Sequence, residues 1–219
     1  MAYIDFITTI HKKTKRDYLG RVNEYPKAEA AKLAKKFDWD YWDGDRKVGY
    51  GGFNYDGRWK TVAKELASHY KLKNGDKVLD VGCGKAFLLY DLMQEVPGLE
   101  VCGVDISKYA IEHAKEEVRS SLICTGAHEL PFSDHSFDLV ISINTLHNLY
   151  CYELDKALRE MERVGKQKYL VVESYRNEEE KANLLYWQLT CECFYTPGEW
   201  EWWFQQTHYS GDYSFIYFE

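Results

Sequence analysis

Short, nearly continuous apolar runs alternate along the chain with segments whose apolar residues recur every three or four positions. The runs are Val78 to Val81, Val101 to Ile106, Leu122 to Cys124, Phe137 to Ile143 and Tyr169 to Val172. Each has the length and composition of a strand buried on both faces. The periodic segments read as helices. They are Thr61 to Tyr70 with Val62, Leu66 and Tyr70 on one face, Lys85 to Glu95, Ser107 to Val118, and Leu154 to Val164, stopped by Gly165. Ala28 to Phe37 and Glu178 to Cys191 are also predicted helical. Thr196-Pro197-Gly198-Glu199 is a capping box with proline at the first helical position, opening a helix through Trp203. Tyr213 to Phe218 is predicted as a closing strand. This alternation predicts an α/β fold, a mainly parallel sheet flanked by helices with right-handed crossovers. Ligands of such folds bind beyond the carboxyl ends of the strands, and Asp80, Asp105, Asn144 and Glu173 all fall at such ends.

One stretch breaks the pattern. Asp38 to Asp45 and Tyr50 to Trp59 are rich in aromatics, acids and glycines and have no period. The aromatic load argues against disorder, and a long irregular segment in a compact chain is expected to be a binding loop. Residues 1–60 are therefore predicted to form a helical and loop lid over the ligand site, and residues 61–219 the α/β domain that carries it.

The chemistry centres on Lys77-Val78-Leu79-Asp80-Val81-Gly82-Cys83-Gly84. A strand running through a Gly-x-Gly turn into a helix is expected to bring free backbone N–H groups to one point, which suits an anionic group. Asp105 ends the next strand, 21 residues beyond Gly84. A carboxylate there accepts from both hydroxyls of a ribose. The dinucleotide fingerprint wants a third glycine where this chain has Phe87, so NAD is excluded.

Val-Leu-Asp-Val-Gly-Cys-Gly, the later Gly-Val-Asp-Ile-Ser, and Ala127-His128-Glu129-Leu130-Pro131-Phe132 with Ser136-Phe137-Asp138-Leu139-Val140 resemble the class I S-adenosylmethionine (SAM)-dependent methyltransferases. The resemblance covers about Lys73 to Tyr175. It implies a Rossmann-like fold, SAM as cofactor and S-adenosylhomocysteine as product. It places Gly82, Cys83 and Gly84 against the methionine portion, Asp80 toward its ammonium, Asp105 on the ribose, Ile106 on the adenine face, and Ala127 and His128 at the adenine edge. Many relatives place an Asp just before that Ala; here it is Gly126, which leaves the adenine amine to backbone or to His128. The family normally ends with an antiparallel pair of strands, and little chain remains for a second one here.

Methyl transfer to a hydroxyl or a cationic nitrogen needs a base. His147, just after the fourth strand in Asn144-Thr145-Leu146-His147-Asn148, is the candidate, with Glu173 and Tyr175 at the end of the fifth strand as further catalytic candidates. Tyr55, Arg58, Trp59, Tyr150 and Arg176 are the candidate substrate residues, and Tyr50 and Trp187 are further aromatic candidates for the pocket wall. Arg58 is read as the partner of the methionine carboxylate or of a substrate anion, with a nearby surface Asp as the alternative.

Composition narrows the acceptor. A net charge of −7 with no long basic stripe argues against nucleic acid as the main substrate. The cluster Lys12, Lys13, Lys15 and Arg16 reads as a solvated arm. No apolar run reaches membrane-spanning length and there is no secretory h-region, so a cytoplasmic protein with reduced cysteines and no membrane partner is expected. Cys191-x-Cys193 has no second pair nearby, and no metal is assigned. The reading is therefore a methyltransferase acting on an N or O atom of a small polar metabolite, as a monomer or homodimer. The acids and aromatics of the N-terminal segment suit a cationic acceptor such as an amine or an amino or amidino sugar. A protein side chain as acceptor, or a non-catalytic SAM-binding partner subunit, are the alternatives.

Overall fold

The computed structural model describes residues 1–12, 14 and 16–219; Lys13 and Lys15 of the basic N-terminal cluster lie outside the described residues. In chain order the elements are α1 (Thr8–His11), α2 (Tyr18–Asn23), α3 (Lys27–Ala34), α4 (Trp39–Trp42), α5 (Lys60–Tyr70), β1 (Lys77–Val81), α6 (Phe87–Glu95), β2 (Glu100–Asp105), α7 (Lys108–Glu112), α8 (Glu116–Arg119), β3 (Leu122–Cys124), β4 (Phe137–Ile143), α9 (Cys151–Val164), β5 (Gly165–Glu173), α10 (Glu178–Trp187), α11 (Pro197–Gln206) and β6 (Asp212–Ile216). A single 3-10 turn, Leu146–Asn148, follows β4.

The strands form one parallel sheet in the order β3-β2-β1-β4-β5-β6. The inner strands are apolar because both faces are covered. Val78, Leu139, Ile141, Tyr169 and Val171 pack on the α5 and α6 side, whereas Leu79, Val81, Val140, Leu170 and Val172 pack on the α9 and α11 side. The chain runs outward from β1 to β3 and returns to the other side of β1 as β4. A crevice therefore opens between the carboxyl ends of β1 and β4.

Three elements differ from expectation. Ser107 does cap a helix, accepting from the Ala110 N–H at 3.0 Å, but that helix ends at Glu112 and a separate turn, α8, follows. Strand β5 begins at Gly165, four residues earlier than the apolar run suggests, because Lys168 carries its amine out to Glu162 while its stem stays buried. Strand β6 pairs directly and in parallel with β5, with no antiparallel strand between them. The far edge of β6 is occupied by the N-terminus: the Tyr213 N–H donates to the Ala2 carbonyl at 3.0 Å and the Ile4 N–H to the Tyr213 carbonyl at 2.9 Å. A paired edge cannot recruit another strand.

Candidate active site

The glycine turn after β1 is tightly determined. Gly82 and Gly84 have φ of +83° and +53°, a region that disfavours side chains. A Cβ on Gly82 would lie 2.1 Å from Thr145 Oγ1, and one on Gly84 would lie 2.7 Å from the Trp42 ring. The space is filled by residues from the β4 loop and from the N-terminal segment. The N–H groups of the Gly82-Cys83-Gly84 turn itself are not free. Those of Gly82 and Cys83 donate to the Val104 carbonyl at 2.7 and 3.0 Å, and that of Gly84 donates to Asp105 Oδ2 at 2.7 Å. The turn thus spends its donors on bracing β2 and presents its surface, not its dipoles, to the crevice.

That crevice is a cavity of about 350 Å³, within the usual range of ligand sites. Asp80, Gly82, Cys83, Gly84, Asp105, Ile106, Ala127, His128 and Asn144 all line it. Asp80 is 5 % exposed, and among the described residues its carboxylate has no hydrogen-bond partner. Burial, and then the like charge of Asp105 on the adjacent strand, push its carboxyl up to about 8. Burial also raises Asp105, opposed by the backbone N–H groups it accepts, Ser107 at 2.7 Å among them. One N–H on each Asp105 oxygen leaves lone pairs for a diol. The buried Nδ1 of His128 has no partner, and its ring lies 2.6 Å from where a Gly126 Cβ would stand. Glycine at that position makes room for the imidazole.

The N-terminal segment walls this cavity with Phe37, Tyr41, Trp42, Tyr50 and Phe53. It is tied down through Asp43. The buried Lys85 ammonium contacts both Asp43 oxygens at 2.7 Å, and the Tyr109 hydroxyl and Phe53 N–H donate to Asp43 at 2.8 and 3.0 Å. Trp42 Nε1–H donates to Ser107 Oγ at 2.9 Å. Phe87, where a dinucleotide site would have glycine, stacks on Phe53 at 5.1 Å.

A second cavity, about 290 Å³, adjoins the first; Asn144, Tyr41, Tyr50 and Phe53 line both. Asn144 is held in the left-handed region, φ +61°, by its N–H bond to the Val171 carbonyl, and its Oδ1 is buried without a partner. His147 and Glu173 also line this cavity. They are 2 % and 1 % exposed, and His147 Nε2 stands 3.5 Å from Glu173 Oε2. Burial drives the imidazole down to about 3 and the carboxyl up to about 8, with Gln188 and Arg16 opposing the second shift. Both groups are neutral at pH 7 in the empty protein.

The other candidates divide. Trp59 lines the first cavity, and Trp187 the second. Arg58 borders both but is bound to Asp56, with Nη2 at 2.6 Å from Oδ2. Tyr55 lies outside, donating its hydroxyl to Asp91 at 2.6 Å on the far side of α6. Tyr150 caps α9 and stacks on Tyr152 in solvent. Arg176 is paired with Glu180 and Glu219 over the Tyr217 ring. Tyr175 packs into the core on the α5 and α6 side of the sheet, under Lys181. These four belong to neither cavity. The chain leaves the sheet after Glu173, so Tyr175 and Arg176, next along it, no longer face the crevice. Sequence reasoning also passed over Trp42, Thr145, Arg16, Arg21 and Arg46. The N-terminal acids do not reach the acceptor side either. Asp43 and Asp56 are ion-paired, while Asp38 and Asp45 bond local N–H groups.

A family model described as a methyltransferase domain matches residues 72–208. The chain belongs to that family, that of the class I SAM-dependent methyltransferases. It is 37% identical over 118 residues to a demethylmenaquinone methyltransferase of Staphylococcus aureus and 32% identical over 117 residues to one of Thermotoga maritima. The matches cover 52% and 53% of this chain and 48% and 49% of those proteins, so the chain spans about half the length of the curated relatives it matches. Among solved structures it shares the fold of the YcgJ protein of Bacillus subtilis, with TM-score 0.56, 24% identity and 67% of both chains covered. It also shares the fold of the Haloferax volcanii chain solved with the Trm112 methyltransferase activator, with TM-score 0.55, 19% identity, and 89% of this chain and 77% of that one covered. The groups lining the first cavity fit SAM: an unpartnered buried carboxylate, a diol acceptor and an unpartnered imidazole. No helix among the described residues of this methyltransferase is long and apolar enough to cross a membrane.

Proposed function

We propose that this methyltransferase binds SAM in the first cavity and a small polar acceptor in the second, and methylates an N or O atom of that acceptor. Asp80 holds the ammonium, Asp105 the ribose hydroxyls, Ile106 and His128 the adenine. When bound, SAM supplies an electrophilic methyl group on a sulfonium. The chain's own part is positioning and proton removal. Asn144, on the border between the cavities, orients the acceptor with its free Oδ1. His147 Nε2 and Glu173 Oε2, beside each other and without other partners on Oε2, take up the proton the acceptor loses.

The observation that carries this reading is the buried His147–Glu173 pair on the wall of a cavity that adjoins the cofactor site. Demethylmenaquinone, the acceptor named for the relatives, is an apolar quinone. The second cavity is instead lined by arginines, His147, Glu173, Gln188 and Thr190. The test is incubation with methyl-labelled SAM and fractionated small-molecule acceptors, reading S-adenosylhomocysteine and labelled product by mass spectrometry. Tight SAM binding with no transfer to any fraction would favour the non-catalytic subunit.

A further inference from the structure

Three guanidinium groups surround one indole in the second cavity. The Cζ atoms of Arg21, Arg46 and Arg16 lie 4.5, 5.2 and 5.4 Å from the ring centre of Trp187, and all four residues line the cavity. The arginines come from the loop before α2, from α2 and from the loop after α4, so the fold has gathered them.

What they lack is a counter-ion. Among the described residues, none of the three has a carboxylate within ion-pair distance. Their N–H groups donate to the backbone carbonyls of His11, Thr14, Arg46, Gly49 and Tyr50 and contact the His11 ring. The Nε atoms of Arg16 and Arg21 are buried without a partner. Burial lowers both guanidiniums; the charge of Arg46 adds to this chiefly at Arg21, which falls to about 10, while Tyr18 and Glu173 oppose it at Arg16. Four of the other five arginines are ion-paired: Arg58 with Asp56, Arg159 with Asp155, Arg163 with Glu160 and Asp134, Arg176 with Glu180 and Glu219; Arg119 donates to the Ala114 carbonyl. The one carboxyl on the cavity wall, Glu173, accepts from Gln188 and stands beside His147; Arg16 feels its charge but is not within ion-pair distance of it. Like charges gathered, partly desolvated and unpaired destabilise the empty protein. Forked donors of this kind match a phosphate or carboxylate, whose binding reverses that cost.

We propose that the methyl acceptor carries an oxyanion group, a phosphate or a carboxylate, held by Arg16, Arg21 and Arg46 around Trp187. This deepens the small-acceptor reading and rests on it for the second cavity's role. It also replaces the cationic acceptor that the acidic N-terminal segment suggested.

The test titrates inorganic pyrophosphate, and separately citrate, into the protein saturated with S-adenosylhomocysteine, by calorimetry at constant ionic strength. The cofactor product blocks adventitious binding in the first cavity. Saturable one-to-one binding to the wild type is expected, and Arg21→Gln should weaken it roughly ten- to a hundredfold, the worth of a lost charge-assisted bond. Arg21 does not line the first cavity, so S-adenosylhomocysteine affinity should hold, which also shows that the variant is folded. Should Arg21→Gln fail to fold, Arg46→Gln takes its place. Tighter pyrophosphate identifies a phosphate-bearing acceptor, and tighter citrate a carboxylate-bearing one. No saturable binding of either anion, or equal binding to wild type and variant, overturns the proposal. Failure of S-adenosylhomocysteine to bind would instead refute the cofactor assignment, and titrating the ligand-free protein would still decide the arginine cluster.

Discussion

Binding of SAM near neutral pH should expel a proton from this methyltransferase, and Asp80 is its source. Burial and the neighbouring Asp105 hold the Asp80 carboxyl at about 8, against 3.8 for the free group. In the empty protein at pH 7 roughly nine in ten molecules therefore carry it protonated. That displacement opposes ionisation by roughly 6 kcal/mol at high pH. Its sign is fixed: the folded value lies above the unfolded one, so the contribution to stability is complete below 3.8 and is lost as pH rises through about 8. A bound ammonium reverses this, because pairing with it requires the carboxylate. SAM affinity should thus rise close to tenfold per pH unit from about pH 6 to 7, levelling as Asp80 ionises unaided. Calorimetry at pH 7 in two buffers of different ionisation enthalpy counts the proton directly, and about 0.9 per SAM is expected. Asp80→Asn should bind with no proton release, with an affinity flat in pH, and roughly ten- to a hundredfold more weakly at pH 7.5. Glu173 also stands at about 8, so Glu173→Gln serves as the control and should keep the released proton. Heats independent of buffer in the wild type, or a proton still released by Asp80→Asn, would refute the pairing of Asp80 with the ammonium.

Three further outcomes are expected. Asp105→Ala should weaken SAM binding at least tenfold, since two ribose hydroxyls lose their acceptor and the Gly84 N–H loses its partner; calorimetry showing wild-type affinity would move the ribose elsewhere. Turnover should rise with pH as Glu173 ionises near 8; Glu173→Gln should flatten that limb, and His147→Ala should cut turnover roughly a hundredfold. Near-wild-type rates and profiles in both variants would take the pair out of the reaction. Gly82→Ala places a Cβ 2.1 Å from Thr145 Oγ1 at φ +83°, and the strain of roughly 1–3 kcal/mol should lower the thermal midpoint by several degrees. A midpoint equal to the wild type would mean that the turn is not as drawn.

What was legible in the sequence was local. Asp80, the glycine turn and Asp105 sit in runs whose pattern states both the element and its end, and a parallel sheet brings the ends of neighbouring strands together without further instruction. Thr196 to Glu199 announced its helix for the same reason, since each partner of the capping box lies within three residues of the other. Reading failed where orientation is decided by something remote. Tyr175 and Arg176 follow a strand end as closely as Glu173 precedes it, yet only Glu173 faces the crevice. Tyr55 sits in the aromatic segment that walls the cofactor cavity, but its hydroxyl is claimed by Asp91 on α6. The N-terminal acids were visible as a class and misread as a surface for cations, because composition does not say that Lys85 neutralises Asp43 or that Arg58 neutralises Asp56.

The arginines were the harder case. Arg16 lies in a basic cluster that reads as a solvated arm, Arg21 is the lone cation on α2, and Arg46 follows a helix of four residues; none has a neighbour in sequence that gives it a role. Trp187, far along the chain on α10, is what collects them. A contact of that range costs chain entropy to close and leaves like charges side by side. Such an arrangement runs against the stability of the empty protein, and real chains depart from local consistency mainly where function demands it. The unpaired charge beside Trp187 is thus the clearest mark of what the second cavity receives. It is also a mark that only the folded chain carries.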